Sequence, residues 1–259
     1  MHLSINFQVV FIKYIYLLLA LLSPIAKSCE QTLRVGVVLP WPPFVFDGEQ
    51  GLTGIDVDLS RLVLAEAGFC SEFVRLPSST RGLVELEKGR VDVLPAASFT
   101  QSRAQYSYFS TPYRRERMRL FWYKDNKYRT ADLAELLARN KSIVVNSGGY
   151  YGDEFEQLSQ SNDYKELIVR VPLLTHRLYM LKARRVDFMI DDEISGLYLI
   201  SQEKISGIEL HPYVIHDNPI HFMLSRKTVS QQDVNKINAS ITATQAKVAE
   251  VIAKYTSAF

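Results

Sequence analysis

Apolar positions along the chain follow two rhythms, short continuous runs and helical spacing, and their order predicts the fold. Residues 33–39 form a short apolar run and predict a strand. Residues 56–67 carry apolar positions at helical spacing and stop at Gly68, a residue suited to ending a helix. A strand over 72–76 follows, then a helix over 80–88 ended by Gly89, then a strand over 91–94 ended by Pro95. Strands separated by helices imply a parallel sheet with right-handed crossovers. A further strand over 117–123 runs into the charged, turn-like Lys124-Asp125-Asn126-Lys127.

After that turn the pattern starts again. It gives a helix over 131–138, a strand over 142–145 and a new helix opening at Ser147-Gly148-Gly149. A strand over 167–171, a helix over 175–183, a strand over 186–190 and a helix over 193–201 follow. Late strands are expected over 208–214 and 219–224, with amphipathic helices from about 230 to 255. Two such sets predict an α/β protein of two lobes, with two mostly parallel sheets joined at a hinge near 121–123 and 216–220. The strand 219–224 returns to the first lobe, so lobe one is discontinuous, residues 29–122 and 217–259, and lobe two is 123–216. No internal sequence repeat or low-complexity run interrupts this order.

The first 28 residues change the picture, because they contain no acid and carry an apolar block over 15–22 after Lys13. Pro24, Ala26 and Ser28 complete the order of a secretory signal, with cleavage after Ser28. A membrane span needs about 20 apolar residues, and Lys13 interrupts this run, which leaves a retained anchor as the weaker alternative. Of the 30 Lys and Arg, two lie in this segment, so 28 remain against 28 Asp and Glu. A neutral chain without a basic stripe excludes a nucleic-acid partner.

The two cysteines, Cys29 and Cys70, precede the first and second strands. In a parallel pair those strand starts share an edge, roughly 4.8 Å apart, within the roughly 4.4–6.8 Å that a disulfide allows. An exported chain with two cysteines therefore predicts the Cys29–Cys70 bond. The alternative is a lipidated Cys29. Ala26-Lys27-Ser28 fits that poorly, since a lysine stands where a small apolar residue is needed.

Candidate chemistry centres on residues 91–113. Arg103 follows a buried strand at a helix start that Ser98 or Thr100 can cap. Free backbone amides and the guanidinium then converge on one point, an arrangement suited to a carboxylate or phosphate. A surface arginine on a capped turn is the plainer alternative.

Taken together, these residues resemble the periplasmic solute-binding proteins of family 3, the polar amino-acid binders of ABC importers. The resemblance covers about residues 33–227. It rests on Arg34-Val35-Gly36, Trp41-Pro42-Pro43-Phe44, Gly54-Ile55-Asp56-Val57-Asp58-Leu59, Gly89-Arg90-Val91-Asp92, Thr100-x-x-Arg103, Phe109-Ser110-x-Pro112-Tyr113 and Arg185-Val186-Asp187 with Asp191-Asp192. Each is weak alone; their order is informative about fold more than ligand.

The resemblance implies that Arg103, helped by Ser98, grips a ligand carboxylate, and that Asp192 takes the ligand ammonium, with Asp191 as fallback. It puts Trp41 against the ligand side chain, and Gly148, Gly149 and Tyr150 as amide donors. Elementary chemistry agrees, since a buried zwitterion needs both charges paired, and an aromatic platform suits such a site. Plainer roles exist for each. Trp41 suits a core, Asp192 or Asp191 a helix cap, and Gly148-Gly149 a turn. Asp56, Asp58 and Asp187 read as structural, and Arg114, Arg115 and Arg117 as a solvated face.

The chain departs from the family pattern at Val38, where binders of basic side chains often carry an acid. Ala96 and Ala97 replace paired hydroxyls, and Gly149-Tyr150 replaces a threonine. The expected function is an exported protein that captures an amino acid or related carboxylate for ABC-type import. It is expected to be a periplasmic monomer that is not an enzyme, with no cofactor or metal and a permease as partner. The rivals are a cyclohexadienyl dehydratase-like enzyme and a sensory binding protein. His176, His211, His216 and His221 fall at no catalytic or metal spacing, so Glu154 and Glu156 are the acids left for an enzyme. No output domain follows Phe259, so a sensor would act through a separate chain.

Overall fold

The computed structural model describes residue 29, residues 31–124 and residues 126–257. The expected signal segment, residues 1–28, lies outside the described residues. The first lobe is built from β1 (Gln31–Val38), the hairpin β2 (Phe46–Gly48) and β3 (Gly51–Thr53), and α1 (Ile55–Glu66). It continues with β4 (Phe69–Leu76), α2 (Ser79–Glu87), β5 (Val93–Ser98), α3 (Gln101–Ala104) and β6 (Ser107–Phe109). β7 (Arg114–Tyr123) leads into the second lobe, with α4 (Leu133–Ala138), β8 (Ile143–Val145), α5 (Asp153–Gln160) and β9 (Ile168–Arg170). α6 (Leu174–Lys182), β10 (Phe188–Asp192) and α7 (Glu193–Gln202) complete it. β11 (Ile208–Ser225) returns to the first lobe, and α8 (Gln231–Ala243) and α9 (Gln245–Thr256) close the chain.

The strand order β4-β1-β5-β11-β7-β10-β8-β9 is continuous, with β6 also on β11. Both ends are parallel, as expected, but the middle run β5-β11-β7-β10 is antiparallel. The expected pair of mostly parallel sheets is therefore one mixed sheet. The reason is β11, a single 18-residue strand where two were expected. His216, Asp217 and Asn218 read as a polar break in the sequence. They pair instead with Met118, Arg117 and Glu116 of β7. Their polarity belongs to the passage between lobes, not to a turn.

Each lobe has its own core. Leu33, Val35, Val57, Leu59, Tyr113, Ile220 and Ile237 belong to the first, and Met118, Leu120, Trp122, Ile143, Phe188 and Ile215 to the second. Burying such faces is the main source of stability. The chain thus crosses between Tyr113 and Met118 and again between Ile215 and Ile220. The second crossing lies within β11. The first lies earlier than 121–123, because β7 already begins at Arg114. Its alternation puts Arg114, Glu116 and Met118 inward and Arg115 and Arg117 outward. That is a strand period, hidden in the sequence because charges occupy both faces.

The Arg-Val-Asp motifs at 90–92 and 185–187 do the same work in the two lobes. Asp92 accepts the Arg34 amide at 2.7 Å and Asp187 the Ser142 amide at 2.9 Å. Each carboxylate ties the strand it precedes to that strand's neighbour, a structural role that the sequence reading gave to Asp187 alone. Cys29 and Cys70 are disulfide-bonded, with Cα atoms 5.4 Å apart. Cys70 lies within β4, opposite Thr32, rather than just before the strand.

Candidate functional site

Between the lobes lies a cavity of about 140 Å³, room for a small solute rather than a single water. Its first-lobe wall includes Val38, Trp41, Leu83, Leu94, Ser98 and Arg103. The facing wall carries Asn146, Gly148, Gly149, Tyr150 and Leu174, and Glu116 and Met118 of β7 also line it. The apolar side chains favour an uncharged ligand body.

Arg103 sits where the sequence placed it, in α3, whose N-cap Thr100 accepts the Arg103 amide at 3.2 Å. Its guanidinium donates to the Ser98 carbonyl at 3.0 Å and, across the cleft, to the Gly148 carbonyl at 3.1 Å. Among the described residues no carboxylate forms an ion pair with it. Burial pushes its pKa down, the mark of a desolvated cation. Gly148 makes this approach possible. It has φ of +83°, and a Cβ there would fall 2.7 Å from Thr80 Oγ1 of the opposite lobe.

Two further bonds hold the lobes together. Asn146 Nδ2 donates to Ser79 Oγ at 3.1 Å, and Ser195 Oγ donates to the Pro42 carbonyl at 2.6 Å. Trp41 lines the cavity with its ring tilted against Phe44, centroids 4.5 Å apart. Tyr150 also lines it, but its hydroxyl is engaged by Asp153 at 2.6 Å. No helix opens at Ser147-Gly148-Gly149 as expected. α5 starts at Asp153, after the positive-φ Gly152, and the preceding loop forms the wall. Ser98 Oγ turns away from Arg103 and donates to Glu116 Oε1 at 3.2 Å.

Asp192 departs from expectation. It is 1% exposed and does not line the cavity. Its Oδ1 caps α7, accepting from Ile194 N at 2.8 Å and Ser195 N at 3.3 Å. A strand end that starts a helix puts orphan amides beside the carboxylate, so the cap role is locally dictated. The fallback Asp191 lines the cavity but is ion-paired with buried Arg177. Arg177 Nε donates to it at 3.1 Å.

Two further residues, Asp56 and Glu116, line the cavity, and Arg114 and Tyr113 are bonded to the first of them. Arg114, read as solvated, has a side chain 2% exposed and pairs with fully buried Asp56 through Nε at 3.1 Å and Nη2 at 3.0 Å. Tyr113 donates its hydroxyl to the same carboxylate at 2.9 Å. Glu116 is 4% exposed and forms no ion pair among the described residues. Only the in-out alternation of 114–118 could have disclosed Arg114 and Glu116.

Burial, reinforced by the charge of Asp192, pushes the Glu116 carboxyl up to about 8. Burial likewise pushes Asp192 up to about 7, opposed by Arg114 and helped by Asp191. An acid with a raised folded-state pKa binds protons that the unfolded chain has released. Its stabilisation is present below the unfolded pKa and is lost as pH rises through the folded value. Buried His211 and half-buried His216 and His221, all depressed by desolvation, pull the opposite way up to their ordinary range. The diagnostic is therefore a difference. Glu116→Gln is expected to gain on the wild type as pH rises from 5 to 8, by roughly 5–10 °C in melting temperature. Parallel melting curves at both pH values would show that Glu116 ionises freely.

The fold and cleft define a two-lobed binding protein of the periplasmic type. The family model for bacterial extracellular solute-binding proteins, family 3, matches residues 33–258, and the chain belongs to that family. Among solved structures, a histidine kinase sensor domain with similarity to periplasmic binding proteins is 20% identical, with TM-score 0.75, covering 88% of this chain and 97% of that one. A P235GK mutant of ArgBP from T. maritima is 21% identical, with TM-score 0.73 and coverages of 87% and 95%. The ancestral amino acid-binding protein AncCDT-1, a precursor of cyclohexadienyl dehydratase, is 23% identical, with TM-score 0.67 and coverages of 87% and 95%. No curated protein matches the chain.

Proposed function

We propose that the protein captures a free α-amino acid or closely related carboxylate between its lobes and delivers it to an ABC-type permease from the extracytoplasmic side. The observation that carries this reading is Arg103, a desolvated guanidinium in the cavity whose only hydrogen-bond partners among the described residues are two carbonyls. A ligand carboxylate is the natural counterion, through a bidentate pair. Gly148, Gly149 and Tyr150 stand opposite to complete the carboxylate shell, and Trp41 covers the ligand body. The acidic part of the cavity wall receives the ammonium.

Calorimetry of the twenty L-amino acids and small mono- and dicarboxylates tests this. One or more amino acids with an uncharged side chain should bind, given the apolar wall around Val38. Absence of heat with every amino acid would overturn the reading. Cells lacking the protein should lose high-affinity uptake of the same amino acid, which tests the transport role separately. The lobes should also compact on binding, because a ligand shifts the open–closed balance through contacts to both walls.

A second reading is favoured by one observation. Glu116 is a buried cavity acid that holds its proton near neutral pH, a property shared with general acids. The fold's relation to a dehydratase precursor gives that reading a substrate class. Incubation with prephenate and arogenate decides it, and no turnover is expected.

A further inference from the structure

The ammonium pole of the cleft is not where the family resemblance puts it. Asp192, the residue assigned to it, caps α7 and lies outside the cavity lining, whereas Glu116 lines the cavity. The sheet brings the two together. Asp192 of β10 pairs with Met118 of β7, and Glu116 is two residues further along the same face. Neither acid is ion-paired among the described residues.

Their surroundings offer little neutralisation. From β5, Ser98 donates one hydroxyl bond to Glu116. From α1, Asp56 takes up Arg114, whose remaining Nη1 goes to the Arg115 carbonyl. From β10, Asp191 is held by Arg177 of α6. From β11, Asn218 lies opposite Glu116 and keeps a buried Oδ1 without a partner. Arg103 of α3 is near enough to feel the Glu116 charge but hydrogen-bonds elsewhere. The result is a pocket wall rich in acceptors and short of one positive charge. Burial raises the proton affinity of both carboxyls, and the charge of Asp192 raises that of Glu116 further, with Arg114 opposing.

We infer that Glu116 is the carboxylate that meets the ligand ammonium, and that the cation displaces the proton Glu116 and Asp192 hold between them, so that each amino acid bound releases a proton to solvent. This rests on the amino-acid reading above and deepens it. No bond other than the O–H breaks, and the positive charge of the ammonium replaces the one that leaves. The burial-raised affinity of both acids for protons places the exchange in the neutral range. A ligand with a carboxylate but no ammonium would leave the proton in place. The site would therefore discriminate an α-amino acid from its 2-hydroxy analogue by more than a lost hydrogen bond.

The test is calorimetry at pH 6.5 in buffers of different ionisation enthalpy, using the tightest-binding amino acid of the screen and its 2-hydroxy-acid analogue. The amino acid should release about one proton per molecule bound, with affinity rising up to about tenfold per pH unit between pH 6 and 8. The 2-hydroxy analogue should release none. Glu116→Gln should flatten the pH dependence and weaken the amino acid more than the analogue. Because that variant alters a buried pair, its melting curve is recorded alongside, and the wild-type proton count stands independently if it fails to fold. Binding with no proton release, or unchanged release in a folded Glu116→Gln, overturns this inference and leaves the amino-acid reading intact. No binding of any amino acid overturns both.

Discussion

Arg103→Ala is expected to weaken binding of an amino acid by roughly two to four orders of magnitude, with a melting curve close to wild type. The size follows from two charge-assisted bonds of about 1.5–3 kcal/mol each. Stability should hold because the guanidinium's partners are carbonyls rather than a buried carboxylate. Arg103→Lys should recover little, since an ammonium cannot reproduce the planar fork that meets both carboxylate oxygens. Titration calorimetry with the amino acid identified in the screen measures both variants. Wild-type affinity in Arg103→Ala would return this residue to the role of a bond between lobes, with the ligand held elsewhere.

Asp56→Ala carries the second large effect, on stability rather than affinity. It strips Arg114 of the one carboxylate it pairs with among the described residues, while leaving the guanidinium 2% exposed and packed over Phe44, 4.3 Å from the ring centroid. Removing one partner of a buried pair costs about 3–5 kcal/mol, because the remaining charge is uncompensated. Urea denaturation should show that loss. The double variant Asp56→Leu/Arg114→Met should regain much of it, since burying neither charge is often as good as burying both. A loss below about 1 kcal/mol in the single variant would place the pair in water-exposed surroundings.

Most of the scaffold was legible from the spacing of apolar residues. The strand–helix alternation, the two lobes, the disulfide and the helix start at Arg103 all depend on short stretches whose pattern survives in isolation. The misreadings have physical causes. Arg114 stands on a strand that passes through the interior, so a run of charges that suits a solvated face has one member turned inward. Asp192 went astray differently. Two backbone amides at the start of α7 take its carboxylate, a claim that becomes visible only once the strand end and helix start are placed. Glu116 had no motif at all. Its importance comes from pairing across β7 and β10, a relation between residues more than seventy positions apart in sequence.

The uninterrupted course of β11 has a consequence for how the molecule loses its structure. Ile215 belongs to one core and Ile220 to the other. The strand between them also carries ladder pairs to β5 at one end and to β7 along its length. Melting either lobe would strip that strand of its partners and expose the neighbouring half. On this sheet neither lobe is expected to fold as a separate unit. A fragment of residues 123–216 on its own would lack all of β7 but Tyr123 and the 217–225 end of β11, and would leave β10 with an open edge where β7 had been.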